Sequence, residues 1–92
     1  MSYGYMLSER ALAGLRKMEL WLQEETLDEL DRLTAQQPFP GRRIGELIVR
    51  DFVRERGTNR HYVFLTLFPN APAQTLTVSN IGWCVLPQQT DT

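Results

Sequence analysis

Arg42 and Arg43, standing directly behind Gly41, are the strongest local concentration of positive charge in this chain. Guanidinium groups grip phosphate through paired N–H···O bonds, so the chemistry they suggest is binding of a phosphate backbone. The other reactive residue types are scattered. His61 and Cys84 are each the single representative of their kind, and each lies in an apolar, strand-like run. Nucleophilic catalysis needs a nucleophile beside a base, and neither residue has that company in sequence. Glu24, Glu25, Asp28, Glu29 and Asp31 crowd one stretch of helical pattern, where a solvated face accounts for them without an acid–base pair. No glycine-rich phosphate loop is present. One Cys and one His make neither an intramolecular disulfide nor the ligand set of a zinc site. The expectation is a binding protein, not an enzyme, with no cofactor and no metal.

The composition agrees with a small globular protein. The chain has 92 residues, 42% of them hydrophobic, and a formal net charge of -1. A balance that close to neutral excludes binding driven by bulk positive charge, so a nucleic-acid surface must be locally basic. The first fifteen residues carry no basic start followed by an apolar run, and no stretch approaches the ~20 apolar residues of a membrane span. A cytoplasmic protein is expected. Because so short a chain buries a modest share of its surface, a homodimer is expected to add stability.

Elements that could position Arg42 and Arg43 follow from the Pro and Gly punctuation at residues 37–41, 57–59 and 69–72. Residues 1–16 form an N-terminal arm in which Ser8 can cap a short helix carrying Ala11, Leu12 and Leu15. Over residues 17–23 the pattern alternates, with Met18, Leu20 and Leu22 on one face and Lys17, Glu19, Trp21 and Gln23 on the other, which predicts a strand. A helix is predicted over residues 24–36, with acids in its first turn and Leu27, Leu30 and Leu33 as its apolar stripe. A second is predicted over residues 42–56, with Ile44, Leu47, Ile48 and Phe52 on one face. Its free N-terminal N–H groups at Gly41, Arg42 and Arg43 favour a phosphate. Gly45 weakens this helix. Residues 58–87 change character: residues 61–68 and 76–78 are rich in β-branched and aromatic types and predict a hairpin, with an irregularity at Ser79-Asn80 where the alternation breaks. Residues 88–92 read as a loose tail.

Strand, helix, turn and helix within residues 17–57 resemble the ribbon-helix-helix proteins of the Arc and MetJ superfamily. The likeness rests on the run from Met18 to Leu33, with its acidic helix start and leucine stripe, and on the run from Gly41 to Phe52. It implies an α+β fold: an intertwined ribbon-helix-helix dimer with a short N-terminal helix and a C-terminal β-hairpin appendage. The implied dimer core is Met18, Leu20, Leu22, Leu27, Leu30, Ile44, Leu47, Ile48 and Phe52. An antiparallel ribbon of two copies can enter the major groove of double-stranded DNA. The resemblance places Lys17, Glu19 and Trp21 on its outer face as base-reading residues, with Gly41, Arg42 and Arg43 anchoring phosphates. The implied function is a sequence-specific repressor or autoregulator of a plasmid or phage. The alternatives are the antitoxin of a toxin–antitoxin pair, with a toxin as partner, and a ribbon-helix-helix protein-interaction module without DNA binding.

Overall fold

The computed structural model describes residues 3–36, 39 and 41–87. It contains β1 (Gly4–Leu7), α1 (Glu9–Arg16), α2 (Leu20–Thr34), β2 (Arg42–Ile44), β3 (Leu47–Arg56), β4 (Asn59–Asn70) and β5 (Thr75–Pro87). The strands form a single five-stranded sheet in the order β1-β5-β4-β3-β2. β1 runs parallel to β5 and every other pair is antiparallel. The helices cover one face.

α1 begins where Ser8 caps it, its side chain accepting from the Ala11 amide at 3.0 Å. The same hydroxyl donates to the Ser79 carbonyl at 2.9 Å, which ties the helix start to β5. Ser79 is the extra residue of a bulge, since Thr66 pairs with Asn80 while Leu67 pairs with Val78. One additional residue there restores Leu76, Val78 and Ile81 to the covered face, all of them buried. Gly14 lies against the Ile81 carbonyl, where a Cβ would run into backbone.

Residues 17–23 are not a strand. Lys17 is the C-cap of α1, Glu19 the N-cap of α2, and Leu20 onward is helical. Alternating apolar residues also satisfy a helix when every second one continues at spacings of three and four. Met18, Leu22, Thr26, Leu30 and Leu33 do so and are buried, while Leu20 is left 70% exposed. Thr26, inside the core, donates to the Leu22 carbonyl one turn back at 2.8 Å.

Residues 42–56 are not a helix either. Gly45 at φ +61° and Gly57 at φ +63° take up the backbone of two tight turns, Gly45-Glu46 and Gly57-Thr58, that a helix has no place for. Between them β3 alternates, burying Ile48 and Phe52 and exposing Leu47, Asp51, Val53 and Glu55. The aliphatic spacing that suggests a helical stripe is thus half strand face and half turn. Gln37, Pro38 and Pro40 of the expected helix break, and the expected tail, lie outside the described residues.

The ribbon-helix-helix dimer is therefore overturned. Its expected intertwined core divides: Met18, Leu22, Leu30, Ile48 and Phe52 are buried within one chain together with Val63, Leu65, Leu67, Leu76 and Val78. Leu27 is half-buried, and Leu20, Ile44 and Leu47 are exposed. Nor is the C-terminal hairpin an appendage, because β4 and β5 form the centre of the sheet. Among the described residues no helix is long and apolar enough to cross a membrane.

Candidate functional site

The residues expected to read DNA sit at a junction between two helices instead of on the outer face of a ribbon. Lys17 and Glu19 flank the junction between the helices, and the Glu19 carboxylate accepts from Trp21 Nε1 at 3.3 Å. Trp21 lies half-buried on α2 beneath the Arg56 guanidinium, 4.7 Å from its ring, and edge-on to His61 at 4.9 Å. His61 is buried, its Nδ1 accepting from Trp83 Nε1 at 3.3 Å, so it serves as a packed partner of two indoles. Gly41, Arg42 and Arg43 stand at the start of an edge strand instead of a helix N-terminus, which removes the dipole argument for phosphate there.

A different surface has a better claim. Residues of β4 alternate, so that His61, Val63, Leu65 and Leu67 point under the helices while Arg60, Tyr62, Phe64, Thr66 and Phe68 point away. Antiparallel register aligns these with neighbours on the same open face. Asp51, Phe64 and Gly82 form one row, Val53, Tyr62 and Cys84 the next, and Glu55, Arg60 and Leu86 the row beyond. Arg42 joins the face opposite Val49. Phe64 and Phe68 are 41% and 38% exposed, high values for phenylalanines in the middle strand of a sheet.

Electrostatically, Arg60 dominates the far end. Its Nη2 and Nε lie 2.9 and 3.2 Å from Glu55 Oε1. The Tyr62 phenol first, and the Glu55 carboxylate second, hold its pKa above the ordinary arginine value. Near the other end a cavity of about 390 Å³ opens between Gly41, Arg42, Val49, Arg50, Asp51 and Phe64. Among the described residues no three His, Cys, Asp or Glu are grouped to hold a metal ion. Exposed aromatic faces with guanidinium groups at the margins form a platform on which unstacked bases can lie while arginines meet phosphates. Sequence alternation over residues 60–68 carries this signal, since a strand with apolar residues on both faces, one of them uncovered, has surface to spare for a ligand.

No protein-family model and no curated protein matches the chain. Solved structures do. A free-state structure of a double arginine-to-alanine variant of the E. coli toxin RelE superposes with a TM-score of 0.70 at 18% identity, covering 89% of this chain and 83% of that one. The isolated E. coli RelE toxin gives a TM-score of 0.64 at 15% identity over 98% of this chain and 88% of that one. A chain of the toxin–antitoxin complex RelBE2 from Mycobacterium tuberculosis gives 0.59 at 15% identity, over 89% and 98% respectively. The fold is similar to that of these RelE structures and not to a ribbon-helix-helix, which overturns the repressor expected from the sequence together with its ribbon-helix-helix alternatives, the antitoxin among them.

Proposed function

We propose that this chain is the toxin member of a toxin–antitoxin pair, acting on single-stranded RNA through the open face of its sheet and silenced when a protein partner covers that face. The carrying observation is the uncovered row of Tyr62, Phe64 and Phe68 with Arg60 and Arg42 around it, on a scaffold similar to RelE. RNA suits this surface because its unpaired bases stack on aromatic rings and its phosphates take bidentate arginine contacts.

Inducible expression in a bacterial host tests the proposal. Growth arrest is expected, with rescue by co-expression of the protein encoded beside it. Arg60→Ala and Phe64→Ala should abolish arrest while leaving far-UV circular dichroism unchanged. A soluble wild-type protein that leaves growth unaffected defeats the reading.

A second reading, cleavage of the RNA, is favoured by the placement of carboxylates, Glu55 opposite Arg60 in its own row and Asp51 in the row beside that of Tyr62. RNA carries its own nucleophile in the 2′-hydroxyl. Asp51 or Glu55 supplies a base for that proton, Arg60 a partner for the phosphate charge, and Tyr62 a proton for the leaving oxygen. Incubation with an RNA oligonucleotide and its fully 2′-deoxy counterpart decides this, because only the RNA should yield fragments.

A further inference from the structure

β2 pairs only with the first residues of β3, through Arg42 with Val49, Arg43 with Ile48 and Ile44 with Leu47. Beyond Val49 the outer edge of β3 has no strand beside it among the described residues. The two tight turns set which backbone groups face that edge. A two-residue turn closes on a hydrogen-bonded pair, so Ile44 with Leu47 and Arg56 with Asn59 are such pairs. Even-numbered residues of β3 therefore bond to β4, and the N–H and C=O of Asp51, Val53 and Glu55 point outward. The Val53 carbonyl bears this out, since it accepts from Arg54 Nη1 at 3.0 Å instead of from β4.

The side chains along this edge are sorted by sign. Arg50, Arg54 and Arg56 lie on the helix-covered side, where Arg32 of α2 joins them. Glu25 and Glu29 answer them incompletely: Glu25 accepts from Arg54 Nε at 3.4 Å, the contacts of Glu29 with Arg32, Arg50 and Arg54 are 3.7–3.9 Å, and among the described residues Arg50 Nε is buried with no hydrogen-bond partner. On the open side Asp51 and Glu55 alternate with Val53. The cavity lined by Gly41, Arg42, Arg50 and Asp51 sits where β2 stops and the vacant edge begins.

We propose that this edge takes a sixth strand: an extended polypeptide segment with acidic side chains at alternate positions, continuing the line of β2. Its acids face Arg50, Arg54 and Arg56, and its intervening basic or neutral residues face Asp51, Val53 and Glu55. A second copy of this chain does not fit. In an antiparallel pairing of β3 with itself, residues on the same face meet, so arginine meets arginine and Asp51 meets Glu55 when Val53 pairs with Val53, and each register two residues away sets arginine against arginine or leaves charges facing apolar residues. The sorted charges thus deter self-association while selecting a heterologous acidic strand. Only the identity of that strand as part of the silencing partner rests on the function proposed above; the edge itself does not.

The test uses the full chain, isotope-labelled, with a synthetic peptide of alternating Glu and Lys. The controls are a peptide of the same composition arranged in blocks and one N-methylated on alternate amides. Hydrogen exchange at the Asp51, Val53 and Glu55 amides should slow at least tenfold with the alternating peptide, and binding should weaken with added salt. The block peptide should give no protection, and N-methylation should abolish binding in one phase and spare it in the other. Unchanged exchange at a saturating peptide concentration overturns the proposal, as does equal protection by the block peptide. Charge reversal at Arg54 and Arg56 to Glu is the protein-side check and should shift preference away from the acidic phase. Because the readout is amide exchange, a chain that binds the peptide yet fails to arrest growth refutes the toxin reading alone.

Discussion

Leu65 and Phe64 are neighbours on β4, yet they belong to different parts of the molecule. Leu65 points under the helices and is fully buried with Val63, Leu67 and Ile48, whereas Phe64 points to the open face and keeps 41% of its surface exposed. The covered face of the sheet carries the buried core, whereas the open face leaves apolar side chains exposed to solvent. A protein that needed both faces for stability would cover the second; here Arg60, Tyr62, Phe64 and Phe68 remain available. On the function proposed above, stability and binding are separable by residue parity along a single strand.

The sharpest way to break that contrast is Leu65→Ala. A leucine with no exposed surface should cost about 2–5 kcal/mol on truncation, read as a lowered midpoint of urea unfolding. Next in size is Gly14→Ala. The new methyl meets the Ile81 carbonyl, so α1 must lift from β5, with an expected loss of about 1–3 kcal/mol in the same measurement. A neutral outcome at Gly14 would mean that α1 rides high enough over the sheet to leave room for a methyl beside the Ile81 carbonyl. On the open face, Phe64→Ala should cost no more than about 1 kcal/mol, in the ordinary range for a half-exposed substitution, while removing growth arrest. If Phe64→Ala destabilises as much as Leu65→Ala, the open face is structural and the contrast fails.

Legibility in the sequence was uneven for the same physical reason. Ser8 and the apolar residues behind it mark a short helix, and the broken alternation after Val78 marks the bulge that Ser79 makes. These are local signals, carried by a cap residue and by a break in parity. Met18 to Leu22 and Ile44 to Phe52 are ambiguous, because an apolar residue at every second or fourth position satisfies both a strand and a helix face. Tertiary context decides between them. Leu22 finds Leu30 and Leu33 further along one helix, whereas Ile48 and Phe52 find β4 beside them once Gly45 and Gly57 turn the chain. Gly45 was the informative residue in the second case, since a glycine inside a helix is costly and one in a two-residue turn is apt. The open-face site was the least visible part. Its members, Arg42, Asp51, Arg60 and Phe64, come from three strands and become neighbours only through pairing register.

The smallest expected effect concerns β1, where the covered face meets acid. Tyr5 has its pKa raised above 10.0, first by burial and then by the negative charges of Asp31 and Asp28 on α2. A folded-state value above the unfolded one means that the neutral phenol is the form the fold favours. The contribution is fully present below pH 10.0 and is lost as the pH climbs from there through the folded-state value, because the unfolded chain ionises first. Unfolding midpoints measured from neutral to strongly alkaline pH should fall over that range in the wild type and fall less in Tyr5→Phe, whose ring cannot ionise. Since Tyr5 lies on the covered face, growth arrest by Tyr5→Phe should match the wild type at neutral pH. An alkaline loss identical in both proteins would assign the effect to other tyrosines and place Tyr5 farther from Asp28 and Asp31 than the packing of β1 against α2 requires.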